Sequence, residues 1–390
     1  MLRQGVSLTT AVIIIVLVMV AAVGGYLVGS MGAPAGTVTV TTTSYAGAAG
    51  TITRTVTQPT TVVQTQTLTR TVTQPTTVTP QFELHAAYVT APSEYDTHHY
   101  FFTRFKEKVE TRTNGRVKVV LHPGGELGNQ VDYLEMMKAG TLFMATIEVS
   151  QFVQFTDKFL FFSFPGLFRT TEEAQAFGEA PETLKYANEV AGPLGWMVPA
   201  ITVAGARYFL TVPEKPIKSI DDFKGLKIRV MPNPIFVDSL QTLGALPTPL
   251  PYTEVFTALQ TKTIDGMENE VAAIIAMRFY EVAPNIALFG WCYAWHWVVL
   301  SKQLFDKLPS DIQQVILDTI TETAKEKNAW ALYVERVVGL QVLMSRGAKI
   351  YSFDTTPGFS KLATWLETRK DQIPAFALEW LNKYRSGLVG

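Results

Sequence analysis

Beyond a Thr-rich N-terminal part, the sequence alternates between short apolar strands and amphipathic helices, and this order restricts the possible folds more than any other feature. Strand patterns at 82–89, 117–121 and 142–147 alternate with helical patterns at 94–112 and 130–138. Strands joined through helices predict a mostly parallel sheet that is covered on both faces by helices. The expected fold class is therefore α/β.

The same alternation continues in the second half of the chain. Residues 227–230 form a short strand pattern, helical patterns follow at 235–243 and 253–260, and 287–300 is a long aromatic strand pattern. Residues 310–344 contain no proline and predict one very long helix. Such a helix spans about 50 Å, which is more than one lobe of an ordinary domain. We therefore expect it to tie two lobes together, and the length of 390 residues suits two lobes plus an appendage.

The N-terminus carries an apolar run that is long enough to cross a membrane. Arg3 precedes an uninterrupted apolar stretch over 11–28, which matches a hydrocarbon core of about 30 Å and exceeds the apolar part of an ordinary signal peptide. The basic end is expected to stay inside. We predict a cytoplasmic segment (1–10), a single transmembrane anchor (11–29) and a soluble part outside the cytoplasm, with a cleaved signal peptide as the alternative.

A threonine-rich tract follows, with an internal repeat. Residues 53–62 recur letter for letter at 69–78, and Pro59, Pro75 and Pro80 interrupt any strand pairing. No apolar face is large enough to form a core. We predict a disordered stalk over 30–80, and such a stalk supports the prediction of an anchor because it is useful only between a membrane and a working domain.

Composition and motifs argue against several classes of protein. The net charge of −1 and the absence of a basic stripe argue against nucleic acid as a partner. The single cysteine, Cys292, excludes an intrachain disulfide. Motifs of serine hydrolases, P-loop proteins and zinc proteases are missing, and the five histidines show no metal spacing. We therefore expect no enzyme activity, no cofactor and no metal. His296, between two tryptophans, is read as a hydrogen-bonded core residue.

Eight short motifs resemble those of TRAP transporter solute-binding proteins, and they occur in the same order and at the same spacing as in that family. They cover about residues 81–350: Asn-Gly-Arg-Val-Lys-Val at 114–119, Gly-Glu-Leu-Gly at 125–128, Phe-Pro-Gly-Leu-Phe at 164–168, Asp-Phe-Lys-Gly-Leu-Lys-Ile-Arg-Val at 222–230, Glu-Val-Phe-Thr-Ala-Leu-Gln at 254–260, Ile-Asp-Gly-Met-Glu-Asn at 264–269, Phe-Tyr-Glu-Val at 279–282 and Leu-Pro at 308–309.

The resemblance implies a two-lobed fold like that of periplasmic binding proteins, with the ligand in a hinge cleft. Lobe I is expected to hold 81–204 and 295–333, and lobe II 205–294 and 334–390. The implied function is capture of a small organic acid by hinge closure and delivery to the TRAP permease subunits. A binding protein for an ATP-driven importer and a tethered ligand sensor are the alternatives. Which acid is bound stays open at this point.

Two arginines are implied as carboxylate ligands by the resemblance. Arg229 lies in an apolar strand pattern at the position of the family's main carboxylate-binding arginine, and a planar guanidinium suits a carboxylate. Arg207 matches a second arginine that often reaches the ligand. A structural ion pair with Glu or Asp is the alternative for Arg229, and an interlobe salt bridge is the alternative for Arg207.

Three further residues complete the implied site. Asn269 matches an amide position that contacts the carboxylate from the second lobe, although Glu270 follows where many relatives have proline. Glu148 matches a polar pocket position that suits a hydroxyl or amine of the ligand, with a solvated loop charge as the alternative. Tyr252 matches an aromatic position that packs on the ligand, with core packing as the alternative.

Overall fold

The computed structural model describes residues 79–387, so the predicted anchor and most of the predicted stalk lie outside the described residues. The first of two sheets is built from five strands: β1 (Phe82–Ala87), β2 (Val117–His122), β3 (Met144–Glu148), β4 (Trp196–Ala206) and β10 (Tyr293–Ser301). Their spatial order is β2-β1-β3-β10-β4.

The second sheet has six strands, which are β5 (Tyr208–Thr211), β6 (Lys227–Val230), β7 (Leu246–Pro249), β8 (Gly266–Asn269), β9 (Asn285–Ala287) and β11 (Lys349–Tyr351). Their spatial order is β11-β9-β5-β8-β6-β7. Only Arg207 separates β4 from β5, so the chain passes almost directly from the first sheet into the second.

Both sheets are mixed, whereas the alternation of elements predicts mostly parallel pairing. β1 pairs in parallel with β2 and β3, and β6 does so with β7 and β8. In contrast, β10 runs antiparallel to β3 and β4, and β5 runs antiparallel to β8 and β9. These exceptions involve the strands next to the two points where the chain changes sheet. No helical crossover within one sheet sets their direction there.

Helices cover the sheets, and several start where a polar side chain caps them. Asp96 accepts a hydrogen bond of 2.7 Å from the amide of His99 and so starts the first helix at Thr97. Asn129 and Asp132 form a capping box. The helices are α1 (Thr97–Arg112), α2 (Gln130–Ala139), α3 (Thr171–Glu179), α4 (Pro181–Ala191), α5 (Pro234–Thr242), α6 (Val255–Gln260), α7 (Val271–Ala276), α8 (Lys302–Phe305), α9 (Ser310–Tyr333), α10 (Gly339–Ser345), α11 (Thr356–Glu367) and α12 (Ala375–Arg385).

The predicted long strand at 287–300 is divided between the two sheets, because β9 ends at Ala287 and β10 begins at Tyr293. Trp291 packs in the core of the second sheet, while Trp295 and Trp297 pack in the core of the first. All three indoles are at most 1% exposed, so they serve as core residues. Burial of aromatic side chains of this size is a large source of stability.

The long helix is present, with one irregular turn. A π-helical turn over Val334–Val338 joins α9 to α10. Helix α9 packs against β4 and α1 of the first sheet, and α10 packs against α7 beside the second sheet. The predicted helix that ties two lobes together is therefore confirmed. Within residues 79–387 no helix has both the length and the apolar character needed to span a membrane.

The C-terminal helix α12 returns to the core of the first sheet. Its buried residues Ala377, Trp380 and Leu381 belong to the same hydrophobic cluster as Trp295 and Trp297. Helix α12 therefore packs on the sheet that the chain enters first, although the sequence interpretation assigns 334–390 to lobe II.

Candidate ligand-binding site

A cavity of ≈ 190 Å³ lies where residues of both sheets meet. The first sheet contributes the ends of β3 and the start of β10, and the second sheet contributes the end of β8 and the loops after β6 and β7. The lining residues are Val89, Thr90, His98, Asn129, Gln130, Val131, Asp132, Glu148, Gln151, Gln154, Arg207, Met231, Pro232, Pro251, Tyr252, Asn269, Glu270 and His296.

Arg229 lies on β6, behind the wall formed by Pro251 and Tyr252, and its side chain is 1% exposed. Nε and Nη2 donate hydrogen bonds of 3.0 and 2.8 Å to the carbonyl oxygen of Leu250. Nη1 has no hydrogen-bond partner in the described part of the chain. Burial lowers the pKa of this guanidinium to about 10, so it stays charged at neutral pH. It also lies 5.8 Å from the centre of the Tyr252 ring.

Arg207, between β4 and β5, is equally buried but differently paired. Nε donates to Oε2 of Glu268, and Nη2 donates to Oε1 of the same residue at 3.1 Å. Nη1 lies 3.6 Å from Oε2 of Glu270, beyond hydrogen-bond distance. Register explains the main pair, since Phe209 faces Glu268 across β5 and β8. Arg207 lines the cavity, yet two of its three nitrogens are already occupied by Glu268.

Asn269 and Tyr252 form a neutral polar pair on the second-sheet side of the cavity. The amide nitrogen of Asn269 donates to the phenol oxygen of Tyr252 at 3.1 Å. The amide oxygen of Asn269 accepts from the backbone N–H of Glu270 at 3.1 Å. Burial raises the pKa of Tyr252, so the phenol keeps its proton and can donate it to a ligand oxygen.

Glu148 is the last residue of β3 and is 3% exposed. Its backbone N–H donates to Gln130 Oε1 at 2.6 Å, which fixes the end of the strand. Neither carboxyl oxygen has a hydrogen-bond partner within residues 79–387. Burial raises the pKa of this carboxyl to about 8, against the opposing charge of Arg207. The interpretation as a solvated loop charge is therefore wrong.

Two stacked histidines stand beside the two glutamates of the cavity. The rings of His98 and His296 lie 3.9 Å apart between centroids. His296 Nε2 is 4.0 Å from Glu148 Oε2 and 3.7 Å from Glu270 Oε1, and both distances exceed a hydrogen bond. Burial holds the pKa of both imidazoles well below the usual value, so both are neutral.

A buried lysine and a buried aspartate stand behind this group. Lys327 of α9 donates to Thr202 Oγ1 at 2.8 Å, and burial lowers its pKa to about 7. Asp96, the cap of α1, accepts from Thr90 Oγ1 at 2.8 Å, and burial raises its pKa to about 7. Neither residue lines the cavity, but each adds to the electrostatic environment of Glu270.

Comparison with known proteins identifies the family to which this chain belongs. Residues 87–354 match family 7 of the bacterial extracellular solute-binding proteins. A solute-binding protein of Sulfitobacter sp. is 32% identical over 294 residues, covering 74% of this chain and 86% of the relative. The chain belongs to family 7.

Solved structures of the family 7 fold agree with this assignment. The sugar acid binding protein of Advenella mimigardefordensis, in complex with galactonate, superposes with a TM-score of 0.73 at 26% identity over 78% of this chain and 98% of that chain. A TRAP periplasmic solute-binding protein of Shewanella oneidensis with bound succinate shares the fold, with a TM-score of 0.72 at 24% identity over 78% and 98% of the two chains. The resemblance to TRAP solute-binding proteins and the predicted two-lobed α/β fold are therefore confirmed.

The structure brings together four of the five residues that the sequence singles out in this family 7 protein. Arg207, Asn269, Glu148 and Tyr252 line the cavity, whereas Arg229 lies directly behind Tyr252.

The sequence reasoning missed His98, which it assigned no role, and it read His296 only as a core residue. His296 is 4% exposed, as a core residue would be, but it also lines the cavity, and its Nδ1 has no partner among the described residues. Glu270 was noted only as a departure from the usual proline. Together with the match of Glu148 to a polar pocket position, that departure is the sequence signal for the acidic part of this site.

Proposed function

We propose that this protein is the extracytoplasmic receptor of a TRAP transporter and that it binds a small organic acid in the cavity between β3, β8 and β10. The ligand carboxylate is bound by Arg229, with Asn269 and Tyr252 beside it. Arg207 positions this wall through its pair with Glu268 and offers only Nη1 to a ligand. The ligand leaves the receptor chemically unchanged, because the role requires binding and release alone.

One observation carries this proposal: the unpartnered Nη1 of Arg229. A buried charged group without a full set of hydrogen bonds is costly unless an anion completes it. No carboxylate in the described residues bonds to this guanidinium, since its two bonded nitrogens both meet the Leu250 carbonyl. Because Arg229 does not line the cavity, a ligand carboxylate supplies the missing acceptor when the wall around Tyr252 moves aside on binding. The galactonate and succinate in the two solved relatives are both carboxylates, which agrees with this ligand class.

A thermal-shift screen tests the ligand class. The full-length chain, purified in a mild detergent, is heated with organic acids of different length and hydroxylation. A ligand present at about 100 times its dissociation constant adds about 2.7 kcal/mol to the unfolding free energy, and this produces a clear rise in melting temperature. Neutral analogues of the best acid, with the carboxylate converted to an amide, are the matched controls. Equal shifts by acid and amide would contradict the proposal.

Ligand capture is proposed to proceed by hinge closure between lobe I (81–204 and 295–333) and lobe II (205–294 and 334–390), with α12 reaching back to the core of the first sheet. The cavity is lined from both sheets, so closure around a ligand buries it and alters the outer surface. The TRAP permease subunits are the proposed partner that distinguishes the closed form from the open one. Small-angle scattering should show a smaller radius of gyration with the best acid than without ligand.

The N-terminal segment is proposed to hold this receptor at the membrane through one helix over 11–29. Its support is the apolar run with Arg3 before it and the threonine-rich stalk after it. The full-length chain should stay in the membrane fraction at high salt, with residues 81–390 accessible to protease from outside. Mature chains that begin between residues 25 and 40 would instead show a cleaved signal peptide.

A further inference from the structure

The end of the cavity formed by Glu148, Glu270 and His296 contains several buried polar atoms that no other group in the described part of the protein satisfies. These three residues are at most 4% exposed, and all three line the cavity. Both carboxyl oxygens of Glu148, Oε2 of Glu270 and Nδ1 of His296 have no hydrogen-bond partner within the described range of 79–387. Buried polar atoms in native proteins are nearly always bonded, so this group calls for an explanation.

Neighbouring cations do not satisfy this group. Arg207 directs two nitrogens to Glu268, and its third lies 3.6 Å from Glu270. Lys327 donates to Thr202. His296 approaches the two glutamates only to 4.0 and 3.7 Å and is kept neutral by burial. The acidic end is therefore not one half of an internal ion pair.

The charge balance limits what a second ligand group can be. Around Arg207 stand three carboxyls, those of Glu148, Glu268 and Glu270, and all three are buried. A dicarboxylate would place its second carboxylate at this end, next to Glu148 and Glu270. The nearby Arg207 is already neutralised by Glu268. Buried like charges cost free energy when neither is compensated. A dicarboxylate is thus a poor fit, although a carboxylate at the Arg229 end is a good one.

We propose that the ligand is a carboxylic acid with a cationic nitrogen at its opposite end, an amino or guanidino acid, and that Glu148 and Glu270 bind this nitrogen. An ammonium group carries three N–H donors and no acceptor, which matches the three unpartnered carboxyl oxygens of this pair. A hydroxyl supplies a single donor and no positive charge, whereas a cationic nitrogen favours the ionised form of Glu148 and so releases the proton that burial keeps on this carboxyl. This inference rests on the proposed function, because it takes the carboxylate to be bound at Arg229.

Calorimetric titration of the full-length chain with matched ligand sets tests it. Each set has one carbon chain length and three end groups, as in 4-aminobutanoate, 4-hydroxybutanoate and succinate, and the sets run over several lengths, with a guanidino acid added to each. The best amino or guanidino acid should bind at least about tenfold more tightly than its hydroxy and dicarboxylic counterparts, the gain expected for charge-assisted hydrogen bonds.

Substitutions locate the effect in the acidic end. Glu148→Gln and Glu270→Gln keep the shape and remove the charge, and each should reduce the preference for amino over hydroxy acid by roughly tenfold or more. Glu148→Asp should recover part of it. Glu379→Gln, an exposed residue of α12, is the control and should change nothing. Melting temperatures establish that each variant is folded.

The outcomes separate this inference from the proposed function. Equal or tighter binding of the hydroxy or dicarboxylic members overturns the inference while leaving carboxylate binding intact. An unchanged preference in both folded glutamine variants overturns it as well. If no carboxylate of any set binds, or if Arg229→Met binds all of them as wild type does, the proposed function fails and the inference fails with it.

Discussion

Arg207, at the junction of the two sheets, and Arg229, on β6 of the second sheet, are both buried, but they have different hydrogen-bond partners. Arg207 is bonded through two nitrogens to the carboxylate of Glu268. Arg229 meets only the carbonyl oxygen of Leu250 and keeps Nη1 unbonded in the described structure. Burial alone therefore does not identify a ligand-binding arginine. The distinguishing feature is whether the protein itself supplies the anion.

The largest expected effect is on stability and separates the two arginines directly. Arg207→Met leaves Glu268 fully buried without its counter-charge, which should cost about 3–5 kcal/mol of unfolding free energy. Arg229→Met removes a desolvated cation that has no carboxylate partner, so stability should stay the same or rise. Urea denaturation of both variants measures this. The double variant Arg207→Met/Glu268→Leu should recover most of the loss, and a comparable loss in Arg229→Met would end the distinction.

Ligand affinity should show the opposite order at Arg229. Truncating one side of a desolvated charge pair costs roughly 2–5 kcal/mol, a loss of about 30- to several-thousand-fold. Arg229→Met should fall in the upper half of this range. Arg229→Lys should fall in the lower half, because lysine keeps the charge but lacks the planar pair of donors. Titration calorimetry with the best acid decides this, with the exposed Arg104→Met as control. Wild-type affinity in Arg229→Met would remove the residue from the site.

Glu148 extends the comparison to a carboxyl that the protein leaves unpaired. Its pKa is raised from 4.5 to about 8 by burial, so the folded protein holds an extra proton between these pH values. Folding then loses stability as pH rises through this window. Glu148→Gln removes the dependence, so the variant should gain in melting temperature relative to wild type from pH 5 to pH 8.5. A constant difference across that range would show that Glu148 does not titrate as a buried acid.

The smallest effect is expected at Tyr252. Tyr252→Phe removes the acceptor for the amide of Asn269 while keeping the ring beside Arg229. The phenol is also positioned to donate to a ligand oxygen, and the loss of one such hydrogen bond costs about 0.5–1.5 kcal/mol, so affinity should fall about two- to tenfold. Tyr186→Phe, whose phenol bonds to the carbonyl of Lys158 away from the cavity, is the matched control. Equal effects of the two substitutions would place Tyr252 outside the site.

Local sequence patterns predict the helices and strands well, but they do not predict the direction and register of strand pairing. The strand 227–230 and the helix from residue 310 are found where hydrophobic pattern and proline positions place them. The mixed sheets are not predictable in this way, because the direction of β5 and β10 depends on passages between sheets. His296 faces Glu148 only through the antiparallel register of β10 with β3. The separation of these two residues along the sequence does not predict that contact.

The candidate site also combines features that local sequence motifs predict with features that depend on strand pairing. Arg229 and Asn269 each lie in a sequence motif shared with TRAP solute-binding proteins. The resemblance to that family therefore implies that both residues belong to one site. The pairing of Arg207 with Glu268 depends on the register of β5 with β8, and a single sequence carries no record of that register. The alternative for Arg207 is an interlobe salt bridge, but its partner Glu268 belongs to the same predicted lobe, and only the three-dimensional structure identifies that partner.

The π-helical turn changes the spacing of the buried residues between α9 and α10. Along α9 the buried positions follow each other by three or four residues, as from Ala324 to Lys327 and from Ala331 to Val334. From Val334 the next buried position is Gly339, a step of five, after which Leu343 follows at a step of four. The wide turn absorbs one surplus residue and keeps the buried seam continuous. A shorter homologous chain can therefore lose one residue within 334–338 by reverting to an ordinary turn, so a single deletion is the change that this segment accommodates.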